Sequence, residues 1–217
     1  MKIKNRMLRI VLLIFLPAFS FTQYAENDWE DRDTWMNIPL IFEEAGIHEG
    51  SYVADIGCHE GYLSIHLANK VGVAGKVYAV DVREDRIALL DEHLKARDFS
   101  NVATILGDYD DPKLPINTLD VVFIMDTYHE MEEYPIILKH VYQALKSGGR
   151  IVIIEKLKSH IKGKSRADQI DAHSLAPKYV KKELISAGFK VSHQDDDMGD
   201  WENDEDKVIW MLVAEKE

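Results

Sequence analysis

The run Val53-Ala54-Asp55-Ile56-Gly57-Cys58-His59-Glu60-Gly61 constrains this chain more than any other stretch. An apolar segment passes through an acid, two glycines follow, and Tyr62-Leu63-Ser64-Ile65-His66-Leu67-Ala68 then takes up helical spacing. The pattern predicts a strand, a glycine-bearing turn and a helix. Such a turn aims backbone N–H groups and a helix N-terminus at a bound ligand. A dinucleotide-binding turn reads G-x-G-x-x-G. Here the spacing is D-x-G-x-x-x-G, with the acid ahead of the first glycine.

Further strand–helix alternation follows. Lys76-Val77-Tyr78-Ala79-Val80 ends in Asp81, about 20 residues after Gly61. A carboxylate at the end of a second strand has paired acceptor oxygens for two ribose hydroxyls. Asn101 to Leu106 ends in Gly107-Asp108-Tyr109, and Leu119 to Met125 ends in Asp126-Thr127-Tyr128-His129-Glu130. Leu145-Lys146-Ser147-Gly148-Gly149-Arg150 precedes a fifth apolar run, Ile151 to Glu155. Helices are predicted over 61–71, 84–97, 132–146 and 176–187, and a further one over Ile38 to Ala45. The stretch from Tyr24 to Asn37 is polar, carries Trp29 and Trp35, and reads as a short helix ahead of the core. Phe189 to His193 and Val208 to Ala214 read as two last strands. Alternation of this kind implies a mainly parallel sheet with helices on both faces.

In order and spacing, these motifs resemble those of the class I S-adenosylmethionine-dependent methyltransferases, over roughly residues 38–215. The resemblance implies a Rossmann-like α/β fold. Its seven-stranded sheet is mainly parallel and closes on a C-terminal antiparallel hairpin. It implies S-adenosylmethionine as cofactor. Asp55, Gly57, His59 and Gly61 form the turn at its methionine part, Asp81 takes the ribose, Asp108 the adenine amino group with Tyr109 packing on the ring, and Asp126 borders the methionine end. The family pattern usually has a glycine where this chain has His59. A side chain there either narrows the approach to the cofactor or simply points to solvent, in a backbone conformation that glycine takes more easily.

Methyl transfer from a sulfonium is an in-line displacement in which positioning supplies much of the rate. A base is needed only where the acceptor must lose a proton. His129 and Glu130 are the catalytic candidates: imidazole titrates near neutral pH, and Glu130 can act likewise or orient the ring. The alternative is that His129 merely begins the following helix. His173 is a weaker candidate for the acceptor pocket. A zinc site from His129, Glu130, His173 and Cys58 can be drawn, but no pair has established metal-ligand spacing, so no metal is expected. Cys58, the one cysteine, is expected to pack within the turn.

The chain has 217 residues and a formal charge of −12. A surface that acidic disfavours a nucleic-acid substrate, and the family resemblance implies a small-molecule acceptor. Residues 1–22 hold Lys2, Lys4, Arg6 and Arg9, then an apolar run from Ile10 to Phe19, in the order of a secretory signal. The run is short for a membrane span of about 20 residues. The expectation is export to the periplasm, with an uncleaved inner-membrane anchor as the alternative. The resulting division is 1–22 signal or anchor, 23–50 helical segment, 51–217 methyltransferase domain. S-adenosylmethionine is made in the cytosol, so export leaves the cofactor supply open. Rival expectations are an exported cofactor-binding protein without methyl transfer and a nucleotide-dependent oxidoreductase.

Two polar stretches complete the sequence. Lys156 to Ala167 holds five lysines or arginines and reads as a solvated loop, or else a lid. Asp195 to Asp206 holds eight acids in twelve residues and reads as a solvated hairpin turn that blocks edge association, or else as an acidic rim favouring a cationic acceptor.

Overall fold

A computed structural model describes residues 25–217; the segment expected to direct export lies outside the described residues. Fourteen regular elements follow one another: α1 (Trp29–Trp35), α2 (Ile38–Ala45), β1 (Tyr52–Ile56), α3 (Tyr62–Val71), β2 (Lys76–Asp81), α4 (Glu84–Ala96), β3 (Val102–Leu106), β4 (Leu119–Met125), α5 (Tyr134–Ala144), β5 (Leu145–Lys158), α6 (Arg166–Asp171), α7 (Pro177–Ser186), β6 (Phe189–Asp195) and β7 (Lys207–Lys216). The sheet order is β3-β2-β1-β4-β5-β7-β6. The first five strands are parallel, and β7 runs antiparallel to both β5 and β6. The expected fold class is therefore the observed one. Among the described residues no helix is long and apolar enough to cross a membrane.

Strand periodicity divides the core in two, because successive side chains face opposite sides of a sheet. Val121, Phe123 and Met125 pack with α2 and α3; Val122 and Ile124 pack with α5 and α7. Phe123 is fully buried with its ring 6.2 Å from Phe42 of α2. Removing such a ring costs about 3–5 kcal/mol. Helices start where the sequence permits: Pro39 and Pro135 occupy first turns, and Asn37 accepts from the Leu40 N–H at 3.2 Å.

Two expectations need correction. The stretch from Lys156 is no simple solvated loop. Its first three residues extend β5, pairing Lys156 with Ile209, Leu157 with Val208 and Lys158 with Lys207. A 3-10 turn (Ser159–Ile161) and α6 fill the remainder. The acidic turn is likewise more than solvated chain. Most of its acids are exposed or half-exposed, but Trp201 is buried against Trp35 at 5.0 Å, and Asp200 bridges to Val208. The indole anchors the turn at the carboxyl end of the sheet, over the ends of β4 and β5.

Candidate functional site

The carboxyl ends of β1, β2 and β4 and the loop after β3 open onto one cavity of ≈ 420 Å³. In open α/β sheets ligands bind at this edge, and the volume suits a small organic ligand. Asp55, Gly57, His59, Asp81, Asp108, Tyr109, Asp126 and Glu130 all line it. Eight of the ten residues expected at the site are thus brought together.

The turn after β1 shows why glycine is needed. Gly57 has φ +81°, and a Cβ there would collide with the Thr127 side chain. Gly61 has φ +99°, and its Cβ would collide with Leu90 of α4. Gly61 is not a cavity wall; it sets the start of α3. Asp55 is buried and accepts the Ser64 hydroxyl at 2.7 Å. Burial pushes its carboxyl up to about 6, opposed by Ser64 and by the charge of Arg32. Cys58 is buried, and burial raises its thiol well above the ordinary value, which suits packing and not nucleophilic attack.

His59 does not stand in solvent. It adopts the left-handed φ of +51°, is half-buried, and forms part of the cavity wall. Burial, with Arg86 and Arg83 nearby, pushes its imidazole down to about 4. A neutral ring therefore borders the cavity at neutral pH. Its backbone N–H donates to Asp81 Oδ2 at 2.9 Å, and the Arg83 N–H donates to Asp81 Oδ1 at 2.9 Å. The carboxylate of Asp81 thus ties two loops, with further acceptor lone pairs available to hydroxyls. Asp108 lies at the rim, ion-paired with Lys113 at 3.1 Å, and Tyr109 beside it is 78% exposed.

Two cations absent from the sequence expectations complete the wall or its support. Arg32 of α1 is buried with its guanidinium 4.3 Å from the Tyr62 ring centre and 5.3 Å from that of Trp201. One amino group reaches Met125 Sδ at 3.1 Å. It brings positive charge to a cavity otherwise rich in carboxylates. Lys156 forms a buried ion pair with Asp126, and its ammonium lies 4.6 Å from the Trp201 ring centre. Asp126 takes a left-handed φ of +51° at the end of β4. An isolated arginine in a polar N-terminal helix carries no local signal; the aromatic residues around it were the only clue.

His129 is buried in the 3-10 turn Tyr128–Glu130 and does not line the main cavity. Its orienting partner is Glu155, not Glu130. Glu155, fully buried on β5, accepts the His129 backbone N–H at 3.1 Å and faces Nδ1 at 2.9 Å. A carboxylate only accepts, so Nδ1 carries the proton and Nε2 faces outward. Burial pushes this imidazole down, but Glu155 more than offsets it by charge and hydrogen bond, and the net shift is upward. Nε2 lies 3.8 Å from Glu130 Oε1, in a second opening that His129 and Glu130 share with Ile170, Asp171 and His173. Glu130 is the residue common to both openings.

Residues 47–209 match the family model described as "Methyltransferase domain", and the chain belongs to that family. It is 30% identical over 109 residues to the demethylmenaquinone methyltransferase of Geobacillus sp. (strain WCH70), which covers 50% of this chain and 47% of that one. The chain spans about half the length of the curated relatives it matches. Among solved structures, a SAM-dependent methyltransferase from Aquifex aeolicus superposes with a TM-score of 0.76 at 24% identity, covering 92% of this chain and 100% of that one. Phosphoethanolamine N-methyltransferase 2 of Haemonchus contortus, in complex with S-adenosyl-L-methionine, superposes with a TM-score of 0.69 at 15% identity, covering 90% and 58%. These two likenesses support the fold.

Proposed function

We propose that the protein transfers a methyl group from S-adenosylmethionine to a small-molecule acceptor. The carrying observation is the convergence of Gly57, Asp81, Asp108 and Asp126, from the ends of four strands, on one cavity. Family membership supports methyl transfer over cofactor binding alone and over nucleotide-dependent oxidation. The name of the curated relatives supports a small acceptor, and the net charge of −12 disfavours nucleic acid.

The residues fit the cofactor. Asp81 would face the ribose, and Asp108 and Tyr109 would take the adenine end at the open rim. Arg32 would supply a cation for the methionine carboxylate, and Asp126, held by Lys156, would close that end. The bound cofactor supplies an activated methyl on a sulfonium. Glu130, on the wall between the two openings, and His129, through Nε2 in the second opening, position the acceptor, either by direct contact or through an ion held between them.

Calorimetry with S-adenosylhomocysteine tests the site, with one molecule bound per chain as the expected result. Incubation with S-adenosylmethionine and an extract of the source cells should then give one compound a methyl mass gain. Binding without any such gain would favour the cofactor-binding alternative. Export through residues 1–22 is part of the proposal, supported by their basic-then-apolar order. Cell fractionation should find the domain outside the inner membrane; full-length chain soluble in the cytosol would refute it.

A further inference from the structure

We propose that His129, Glu130 and His173 form a binding site for a divalent first-row transition ion, zinc being the type case. The proposal deepens the methyltransferase assignment by placing an ion at the acceptor's opening. Only the ion's use, not its existence, rests on that assignment.

Sequence spacing alone argues against the cluster, since His173 lies far along the chain from His129, and Cys58, drawn with these residues from the sequence, is not among its members in space. In space, Glu130 Oε1 is 3.8 Å from His129 Nε2 and 3.7 Å from His173 Nδ1. Zinc bonds to imidazole nitrogen and carboxylate oxygen run about 2.0–2.2 Å, which sets tetrahedral ligand atoms about 3.4 Å apart. The two pairs that share Glu130 therefore need to close by only a few tenths of an ångström, and all three ligand atoms lie within 4.8 Å of one another. Imidazole and carboxylate together suit zinc and its neighbours better than calcium or magnesium, which prefer oxygen alone.

The support around the cluster is what a metal-binding histidine needs. A ligating histidine typically gives its other ring N–H to a carboxylate, which fixes ring and tautomer. Glu155 does this for His129, at 2.9 Å from Nδ1 and with no exposed surface. The turn carrying His173 is anchored to the same strand: Ser174 Oγ donates to the Lys156 carbonyl at 3.0 Å and accepts from the Lys158 N–H at 3.0 Å. Both histidines are thus positioned from neighbouring residues of β5. Glu130 and His173 are 61% and 62% exposed, so an ion can enter from solvent. Asp171 lines the same opening and offers another oxygen. The neighbouring group Asp126, His129 and Glu155 is the poorer site, because Lys156 already neutralises Asp126 there.

An ion held by three protein ligands keeps a position open. Glu130 lies on the wall shared with the cofactor cavity, so the open position favours an acceptor bearing a hydroxyl or an anionic oxygen. The test is calorimetric titration of the chelator-treated full-length chain with Zn²⁺, without cofactor, repeated with Co²⁺ followed by visible absorption. One ion per chain is expected. His173→Ala and Glu130→Gln should each weaken binding at least about tenfold, and Glu155→Gln by about 10–100-fold. His193→Ala, on β6, should leave affinity unchanged. Because His173 is exposed, its variant should fold normally, as circular dichroism can verify. Absence of stoichiometric binding by the unmutated chain, or equal affinity in His173→Ala and Glu130→Gln, would overturn the proposal. Neither result depends on methyl transfer, so failure here is distinct from failure of the cofactor site.

Discussion

Lys156 and Asp126 form an ion pair that is almost fully enclosed, the two side chains being 7% and 1% exposed. It joins the ends of β4 and β5 beneath Trp201. Removing one member of such a pair leaves the other charge buried, at a cost of about 3–5 kcal/mol. Lys156→Met should therefore lower the denaturant midpoint strongly. Adding Asp126→Asn removes the stranded charge and should recover most of the loss. A double variant no more stable than Lys156→Met would mean that the pair is not the source of the effect.

That pair also marks the boundary of what the sequence could tell. The strand–turn–helix units, the sheet type and most of the cavity wall were legible, because each depends on local periodicity and on glycines at fixed offsets. Lys156 was not. A lysine after an apolar run reads as the start of a solvated loop, and its burial depends on pairing with Ile209, far along the chain, and on Asp126. Glu155 was missed as the partner of His129 for the same reason: Glu130 is adjacent in sequence, whereas Glu155 is adjacent only across β4 and β5. Trp201 was submerged in a run of acids, whose solvation says nothing about the indole among them.

Asp81 should be the strongest single determinant of cofactor affinity. Loss of a charge-assisted pair of hydrogen bonds is worth about 1.5–3 kcal/mol, or roughly tenfold or more. Asp81→Ala should show that loss in calorimetry with S-adenosylhomocysteine. Because Asp81 also accepts from His59 and Arg83, part of it comes from loosened loops. Asp81→Asn retains one acceptor oxygen and should lose less. Asp108→Ala, at the open rim, should weaken binding least. Equal binding by Asp81→Ala and the unmutated protein would remove Asp81 from the site.

Asp55 should make the fold less stable as pH rises from about 4 to about 6. Its folded pKa of about 6 exceeds the ordinary 3.8, so the folded chain holds this proton more tightly than the unfolded chain. The advantage is present below the unfolded value and lost through the folded one, a change on the order of 3 kcal/mol. Asp55→Asn keeps an acceptor for Ser64 without the buried charge. At pH 7 it should unfold at higher urea than the unmutated protein, with the difference vanishing near pH 4. A difference that does not change between pH 4 and 7 would contradict the assignment.

His59 should act in the opposite direction over an overlapping range. Its folded pKa of about 4 lies below the ordinary 6.5. Its contribution to stability is present above the unfolded value and lost as pH falls from about 6.5 toward 4. Asp55 and His59 therefore offset each other in the unmutated protein, and each must be judged against its own variant. His59→Gly removes the titrating ring and relieves a left-handed backbone at φ +51°. That relief is worth about 1 kcal/mol, set against the greater freedom of glycine in the unfolded chain. At neutral pH stability should change little; near pH 4.5 the variant should be clearly the more stable. The same change widens the cavity beside His59, where the methionine part of the cofactor is proposed to sit, so affinity for S-adenosylhomocysteine should rise. A variant that binds more weakly would show that the imidazole contacts the cofactor itself. Urea midpoints across pH 4.5–7.5 and calorimetry at pH 7.5 separate the backbone, titration and contact effects.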